Sequence, residues 1–294
     1  MRRRLIWVTV CTAAVALLAG CAPRVATDGN LTDDWMALPD SQTWSPKAGD
    51  CHAERVSETV SLSSYAPIPC TGQHVTEIVH VGAFTGEAAG RVSVPAYGSP
   101  EHRLAFGECV DQVKTYLGDD FRTGRVALLV GLPSDRAWSG GARWFTCNIW
   151  EYGDEDDDRD SVGRVDSLKG TLAGARPLGY RCYMITDDKK TDHIDQQVPT
   201  ECSKSHNGEF VGIYLAKDVQ WPKTAKDESS LLGDGCYPII ARYTGLPNDG
   251  KLPFRVSFVY WSFGETEWSR GNRAVRCILW LDKPVTKLMK GAGP

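Results

Sequence analysis

Trp138-Ser139-Gly140-Gly141-Ala142-Arg143-Trp144-Phe145-Thr146-Cys147-Asn148-Ile149-Trp150 has a second version 130 residues downstream, Trp268-Ser269-Arg270-Gly271-Asn272-Arg273-Ala274-Val275-Arg276-Cys277-Ile278-Leu279-Trp280. Trp, Ser, Gly, Arg, Cys and the final Trp agree in identity and spacing. Agreement at rare residues points to an internal repeat. On an extended chain Arg143, Phe145, Cys147 and Ile149 share one face, as do Arg273, Val275, Cys277 and Leu279. The cassette therefore reads as the closing strand of a unit, its cysteine in an apolar, core-facing row. Trp150 and Trp280 point the other way.

Working outward, the cysteines follow the same duplication. Cys51, Cys70, Cys109 and Cys147 are separated by 19, 39 and 38 residues, and Cys182, Cys202, Cys236 and Cys277 by 20, 34 and 41. Cys70-x3-His74-x2-Glu77 is matched by Cys202-x3-His206-x2-Glu209, and Tyr116 and Gly118 after Cys109 by Tyr243 and Gly245 after Cys236. Leu168-Lys169-Gly170 is echoed by Met289-Lys290-Gly291. The chain is a tandem duplication, with boundaries expected at 48–173 and 178–293.

Each copy reads as α+β: a small, mostly antiparallel sheet with one packed helix. Val75, Val79 and Val81 share a parity in a β-branched run, with Glu77 interrupting the apolar face. Ser99-Pro100-Glu101 is an N-cap, first-turn Pro and acid, followed by Ala105, Cys109, Val113 and Leu117 at helical spacing and Gly118 as the stop. In copy 2 Cys236, Ile239, Ile240 and Tyr243 keep that period up to Gly245. Strands are expected at 125–130 and 254–260.

The chain has 294 residues, 42% hydrophobic and 24% charged, and suits a globular protein. Arg2, Arg3 and Arg4, then an apolar run to Leu18-Ala19-Gly20-Cys21, resemble a bacterial lipoprotein signal with its lipobox. Cleavage after residue 20 is expected to leave Cys21 acylated, with palmitate among its chains, on the outer face of the cytoplasmic membrane. Residues 21–47 read as a tether in which Trp35 and Trp44 pack back on the domain. Removing the three arginines takes the formal charge from −4 to −7, which offers no footprint for nucleic acid. The eight remaining repeat cysteines, even in number in an exported chain, argue for disulfides.

The acidic connection at 151–162 contains Asp154, Asp156 and Asp158 but lacks the Gly and Glu of a calcium loop, having Arg159 and Val165 there. It reads as a solvated link. His74/Glu77 and His206/Glu209 are the only repeated titratable constellation. On a strand, residues three apart face opposite sides, so a shared metal ion is not expected. The reading preferred is a histidine bonded to backbone near a disulfide, with metal or ligand binding the lesser alternative. Arg143 and Arg273 could bind a carboxylate or phosphate; pairing with Glu77 and Glu209, or stacking on a cassette Trp, is the structural expectation. Trp144 and Trp221 lack counterparts and are candidates for specific contacts. No zincin, serine-hydrolase, P-loop or dinucleotide motif occurs, and no cofactor is expected.

Gly49-Asp50-Cys51, Pro69-Cys70 with His74 and Glu77, the Cys109 helix with Tyr116-Leu117-Gly118, and the Trp138/Gly141/Arg143/Cys147 cassette resemble the actinobacterial septum-formation domain family. The resemblance covers 49–173 well and 178–293 more loosely, where Tyr180-Arg181 replaces Gly-Asp. It implies a part in envelope growth or division and carries no catalytic residues. A non-catalytic lipoprotein that binds or scaffolds envelope proteins, division proteins or wall polymer is the expectation. The rivals are an enzyme acting on peptidoglycan or glycan and a metal-binding lipoprotein. Four cysteines allow three pairings in each copy; sequential pairing is expected.

Overall fold

The computed structural model describes residues 44–153, 160–188 and 193–292. The lipobox with Cys21, Trp35 and most of the acidic run lie outside them. Among the described residues no helix is long and apolar enough to cross a membrane.

Copy 1 holds β1 (Cys51–His52), β2 (Thr59–Val60), β3 (Thr76–Ala83), α1 (Gly86–Ala89), α2 (Pro100–Leu117), β4 (Val126–Pro133), α3 (Asp135–Ser139) and β5 (Trp144–Glu151). Copy 2 holds β6 (Cys182–Asp188), β7 (His193–Thr200), β8 (His206–Leu215), α4 (Ala225–Glu228), α5 (Tyr237–Thr244), β9 (Ser257–Ser262), α6 (Gly264–Ser269) and β10 (Ala274–Val285). The sheet orders are β1-β3-β5-β4-β2 and β7-β6-β8-β10-β9. Each copy therefore shares an antiparallel four-strand block, β1-β3-β5-β4 against β6-β8-β10-β9. In register, Cys51 faces Glu77 just as Cys182 faces Glu209. Copy 1 adds β2, parallel to β4, at one edge; copy 2 adds β7 at the other.

The fold class is thus the expected α+β repeat, with two corrections in detail. The cassette strands β5 and β10 lie inside their sheets, each between two partners. Consequently they are buried on both faces: Phe145, Cys147 and Ile149 pack against α2, while Thr146, Asn148 and Trp150 are equally enclosed on the reverse side. The second correction concerns β3. A bulge between Ile78 and His80 leaves Val79 unpaired, and one extra residue flips the alternation beyond it. Val79 packs into the helix-side core, whereas Val81 joins Trp144 on the other face. Copy 2 repeats the bulge at Val211, between the pairs Cys277–Gly212 and Ile278–Phe210.

Helix α2 forms as its signals dictate. Ser99 Oγ accepts from the His102 amide, Pro100 occupies the first turn, and Gly118 closes the helix at φ 92°. Its stripe of Ala105, Cys109, Val113 and Leu117 is buried against β3, β4 and β5. At the start of the expected 254–260 strand the chain instead forms a 3₁₀ turn, Leu252–Phe254, leaving Phe254 exposed. Pro253 in that turn has no amide hydrogen to give to a ladder.

Four disulfides join Cys51–Cys70, Cys109–Cys147, Cys182–Cys202 and Cys236–Cys277. In each copy one bridge staples the helix to the cassette strand, from within α2 at Cys109 and from the 3₁₀ turn that caps α5 at Cys236, and the other ties the β1 or β6 position to the loop before β3 or β8. The described residues form one compact unit. The copies meet through a cluster of Tyr152, Tyr180, Tyr183, Ile185, Val259 and Ile278, with Ala127 and Trp280 against it. Trp280 thus packs on the cluster at which the copies meet. Trp150 lies beneath the Arg55 guanidinium, 4.6 Å from its ring centre.

Candidate functional site

His74 and Glu77 do converge, contrary to the strand-parity expectation. Strand β3 begins only at Thr76, so His74 precedes the pleat and its ring turns back over the sheet. His74 Nε2 lies 3.1 Å from Glu77 Oε1, and Nδ1 lies 2.8 Å from the Gly72 carbonyl. Glu77, itself 3% exposed, points into the helix-side core. Its Oε1 also accepts the Leu168 amide at 2.7 Å; its Oε2 accepts the Tyr116 hydroxyl at 2.8 Å and the Ser167 hydroxyl at 3.2 Å.

Copy 2 rebuilds this node almost atom for atom. His206 Nε2 is 3.1 Å from Glu209 Oε1 and Nδ1 2.8 Å from the Lys204 carbonyl. Tyr243 donates to Glu209 Oε2 at 2.7 Å, and the Met289 amide reaches both oxygens at 3.0 and 3.1 Å. The echo of Leu168-Lys169-Gly170 in Met289-Lys290-Gly291 is therefore the return of the chain to cap a buried carboxylate. Gly170 and Gly291, at φ 74° and 73°, donate to the carbonyls of Tyr116 and Tyr243. A positive φ suits glycine there.

Hydrogen-bond valence fixes the proton count. A carbonyl only accepts, so Nδ1–H must donate to Gly72 or Lys204. The Nε2–carboxyl contact then needs one proton, carried either by the ring or by the acid. With the Nδ1 proton this gives each His–Glu pair two protons and no net charge, which is what a fully enclosed pair requires. Burial first, and then the acceptor Glu77 against an opposing bond to Ser167, pushes the Tyr116 hydroxyl up to about 12; burial and Glu209 push Tyr243 upward as well. Both phenols therefore stay protonated as donors. Tyr116, Tyr243 and the two capping amides are members that spacing marks as landmarks without assigning them to the site; their shared offsets are the signal.

Neither arginine pairs with these acids. Arg143 sits six residues before Ile149, the residue in register with Glu77, and so lies about 20 Å away along the strand at ~3.3 Å per residue. Instead Arg143 stacks over Trp138 at 4.1 Å, its Nε donates to Ala89 O at 2.6 Å, and its Nη1 donates to Trp138 O and Ala142 O, each at 2.7 Å. Arg273 meets Asp218 at 2.5 Å, and its Nε has no partner. Trp144, considered for specific contacts, is buried and donates to Trp44 O at 3.1 Å, so it holds the end of the tether. Trp221 lies half-buried, edge-on to Trp268. No group of three or more His, Cys, Asp or Glu among the described residues could hold a metal ion.

The model for a family described as septum formation matches residues 48–277, through both copies. The chain belongs to the septum-formation family. No curated protein and no solved structure matches this septum-formation chain. The match takes in the His–Glu–Tyr residues of both nodes, the first cassette, the second as far as Cys277, and all eight repeat cysteines.

Proposed function

We propose that this septum-formation protein is a non-catalytic lipoprotein that binds or scaffolds division-linked partners on the outer face of the cytoplasmic membrane. The observation that carries the reading is the fate of its one duplicated titratable constellation. Glu77 and Glu209 have both oxygens occupied by donors of their own copy, within a shell that buries His74 and His206 completely. An acid or base must reach a substrate proton within hydrogen-bond distance; these groups serve the interior instead. The lipobox ending at Cys21 supports the anchor, because acyl chains contribute about 0.8 kcal/mol per buried methylene.

Photo-crosslinking in intact cells, followed by identification of the captured partner, tests the role. Envelope or division proteins, or wall polymer, are expected; capture of cytoplasmic proteins alone would overturn it. Fatty-acid labelling should disappear in Cys21→Ser. Wall turnover should be unaffected by Glu77→Gln and Glu209→Gln in cells that still export folded protein, and a loss of turnover there would restore the enzyme reading.

A further inference from the structure

The two cassettes differ in what covers them. In copy 1 the segment after β3 folds over Trp138: Phe84 packs on its ring at 5.7 Å, Arg91 O accepts its indole N–H, and Ala89 O fills the Arg143 Nε. Trp138 is fully buried. Copy 2 builds a shorter cover, under which Trp268 is still buried at 2% exposed. The offset between copies is 132 residues at Cys70/Cys202 and falls to 127 at Cys109/Cys236, a deletion of five. Phe84 N–H donates to Arg143 O just as Ala216 N–H donates to Arg273 O, again an offset of 132, so the deletion lies beyond that point, in the cover itself. Ala216 stands where copy 1 has Phe84, and Trp221 supplies the aromatic against Trp268 instead.

Beside this shorter cover lies a cavity of about 720 Å³, walled by Trp221, Trp268 and Arg273 from copy 2 and reached by Arg103 of copy 1. That volume falls within the range of small-ligand sites. Trp268 forms the back wall, its N–H spent on Val219 O, and holds Trp221 edge-on at 5.4 Å. Trp221 is the ring with surface to offer. Among the described residues Arg273, its side chain 16% exposed, pairs with Asp218, whose side chain is 73% exposed, and solvent around the acid weakens that pair. Arg103 and Lys223 add positive charge at the rim, while Asp218 and Glu265 can accept hydroxyl protons.

We infer that this cavity beside the copy 2 cassette is a binding site for a carboxylated saccharide: Trp221 takes a sugar face, and the Arg273 fork takes the ligand's carboxylate in place of that of Asp218. The inference names a ligand class for the binding reading above and so rests on it. Trp fluorescence of the full mature chain in detergent would be titrated with N-acetylmuramic acid, with N-acetylglucosamine (the same ring without the lactyl carboxylate), and with lactate. The acidic sugar should bind about tenfold or more tightly than either comparison, as expected for a hydrogen-bonded charged contact. Arg273→Gln should abolish the preference and Trp221→Ala should weaken the binding of both sugars. Arg143→Gln should leave both affinities unchanged. Each variant is compared only after its circular dichroism matches the parent, and Trp221→Ala, on an exposed loop, serves if Arg273→Gln does not fold. Equal affinity for the two sugars, no saturable binding, or binding indifferent to both copy 2 substitutions would overturn the site. Such a failure with the envelope crosslinks intact would leave the envelope reading standing, whereas a selective cavity with no envelope crosslinks would do the reverse.

Discussion

Phe145 in copy 1 lies over Gly82; at the same register in copy 2 Val275 lies opposite Tyr214. A Cβ on Gly82 would come within 2.2 Å of the Phe145 ring, so copy 1 places the large side chain on the cassette strand and copy 2 places it on the partner strand. The helix follows suit. His80 and Glu108, 2.7 Å apart in copy 1, are replaced by Gly212 and Gly235, and Gly235 leaves room for the Tyr214 ring, which would be 2.1 Å from any Cβ there. Volume is conserved while its source moves, as tolerated core changes require. The carboxylate nodes, the bulges and the disulfides, by contrast, are kept in kind. The difference separates what the fold demands from what each copy is free to alter.

The nodes should be the most sensitive points. Glu77→Ala or Glu209→Ala would strand an imidazole, a phenol and a backbone amide away from water, and breaking such a buried pair costs about 3–5 kcal/mol. Denaturant titration should show losses of that size in both copies. A loss below about 1 kcal/mol in either would mean that the two nodes are not equivalent supports.

The next effect belongs to copy 1 alone. His102 on α2 is buried, and position 229, its counterpart, is Ser. Burial first, then Arg270 and Arg103 against the opposing Glu58, lower its imidazole to about 4; the Tyr97 ring packs on it at 4.8 Å. Above the unfolded value near 6.5 both states are neutral and the contribution is complete. As the pH falls below 6.5 the unfolded chain takes up a proton that the folded chain refuses, and stability is lost until about pH 4, by at most about 3 kcal/mol. Urea midpoints measured between pH 7 and 4 should fall less steeply in His102→Gln than in the parent. Parallel slopes would remove the histidine from the acid response.

The Phe145/Gly82 exchange yields a smaller and more diagnostic change. Gly82→Ala should cost about 1–3 kcal/mol by overpacking, and adding Phe145→Val, the copy 2 residue, should recover part of it. If the double variant is as unstable as the sum of the single variants, the two positions are not coupled and the volume-exchange account is wrong.

Duplication makes much of this molecule legible in its sequence. Positions kept twice, such as Cys109/Cys236 or Gly118/Gly245, report fold, and so the α+β class and the glycine helix stops can be read from spacing, while the node residues are marked as landmarks without being joined. What escapes is set by geometry that spacing does not encode. One bulged valine inverts the faces of β3. The start of β3 two residues after His74 lets a pair three apart meet. The β6–β7 hairpin, rich in Asp, Lys, Thr and Gln, shows no apolar alternation to mark it. The cavity lies beside the shortened copy 2 cover, a difference in length that spacing shows without showing what the segment packs on.

The smallest expected effect tests how the copies are held together. Arg270 of copy 2 reaches Glu58 of copy 1 at 2.6 Å while also meeting Glu267 at 3.2 Å, and its guanidinium lies over Tyr97 at 5.0 Å. Glu58 is 44% exposed in its side chain, so solvent screens the pair and its direct coupling should be about 0.5 kcal/mol, within the range for exposed pairs. The apolar seam of Tyr152, Tyr183 and Ile278 is far better shielded and should dominate the joint. A double-mutant cycle of Glu58→Gln with Arg270→Gln, followed by denaturant unfolding, isolates the pair. A coupling above about 2 kcal/mol, the scale of buried charged hydrogen bonds, would make the ion pair the principal lock between copies and would demote the tyrosine cluster to filling.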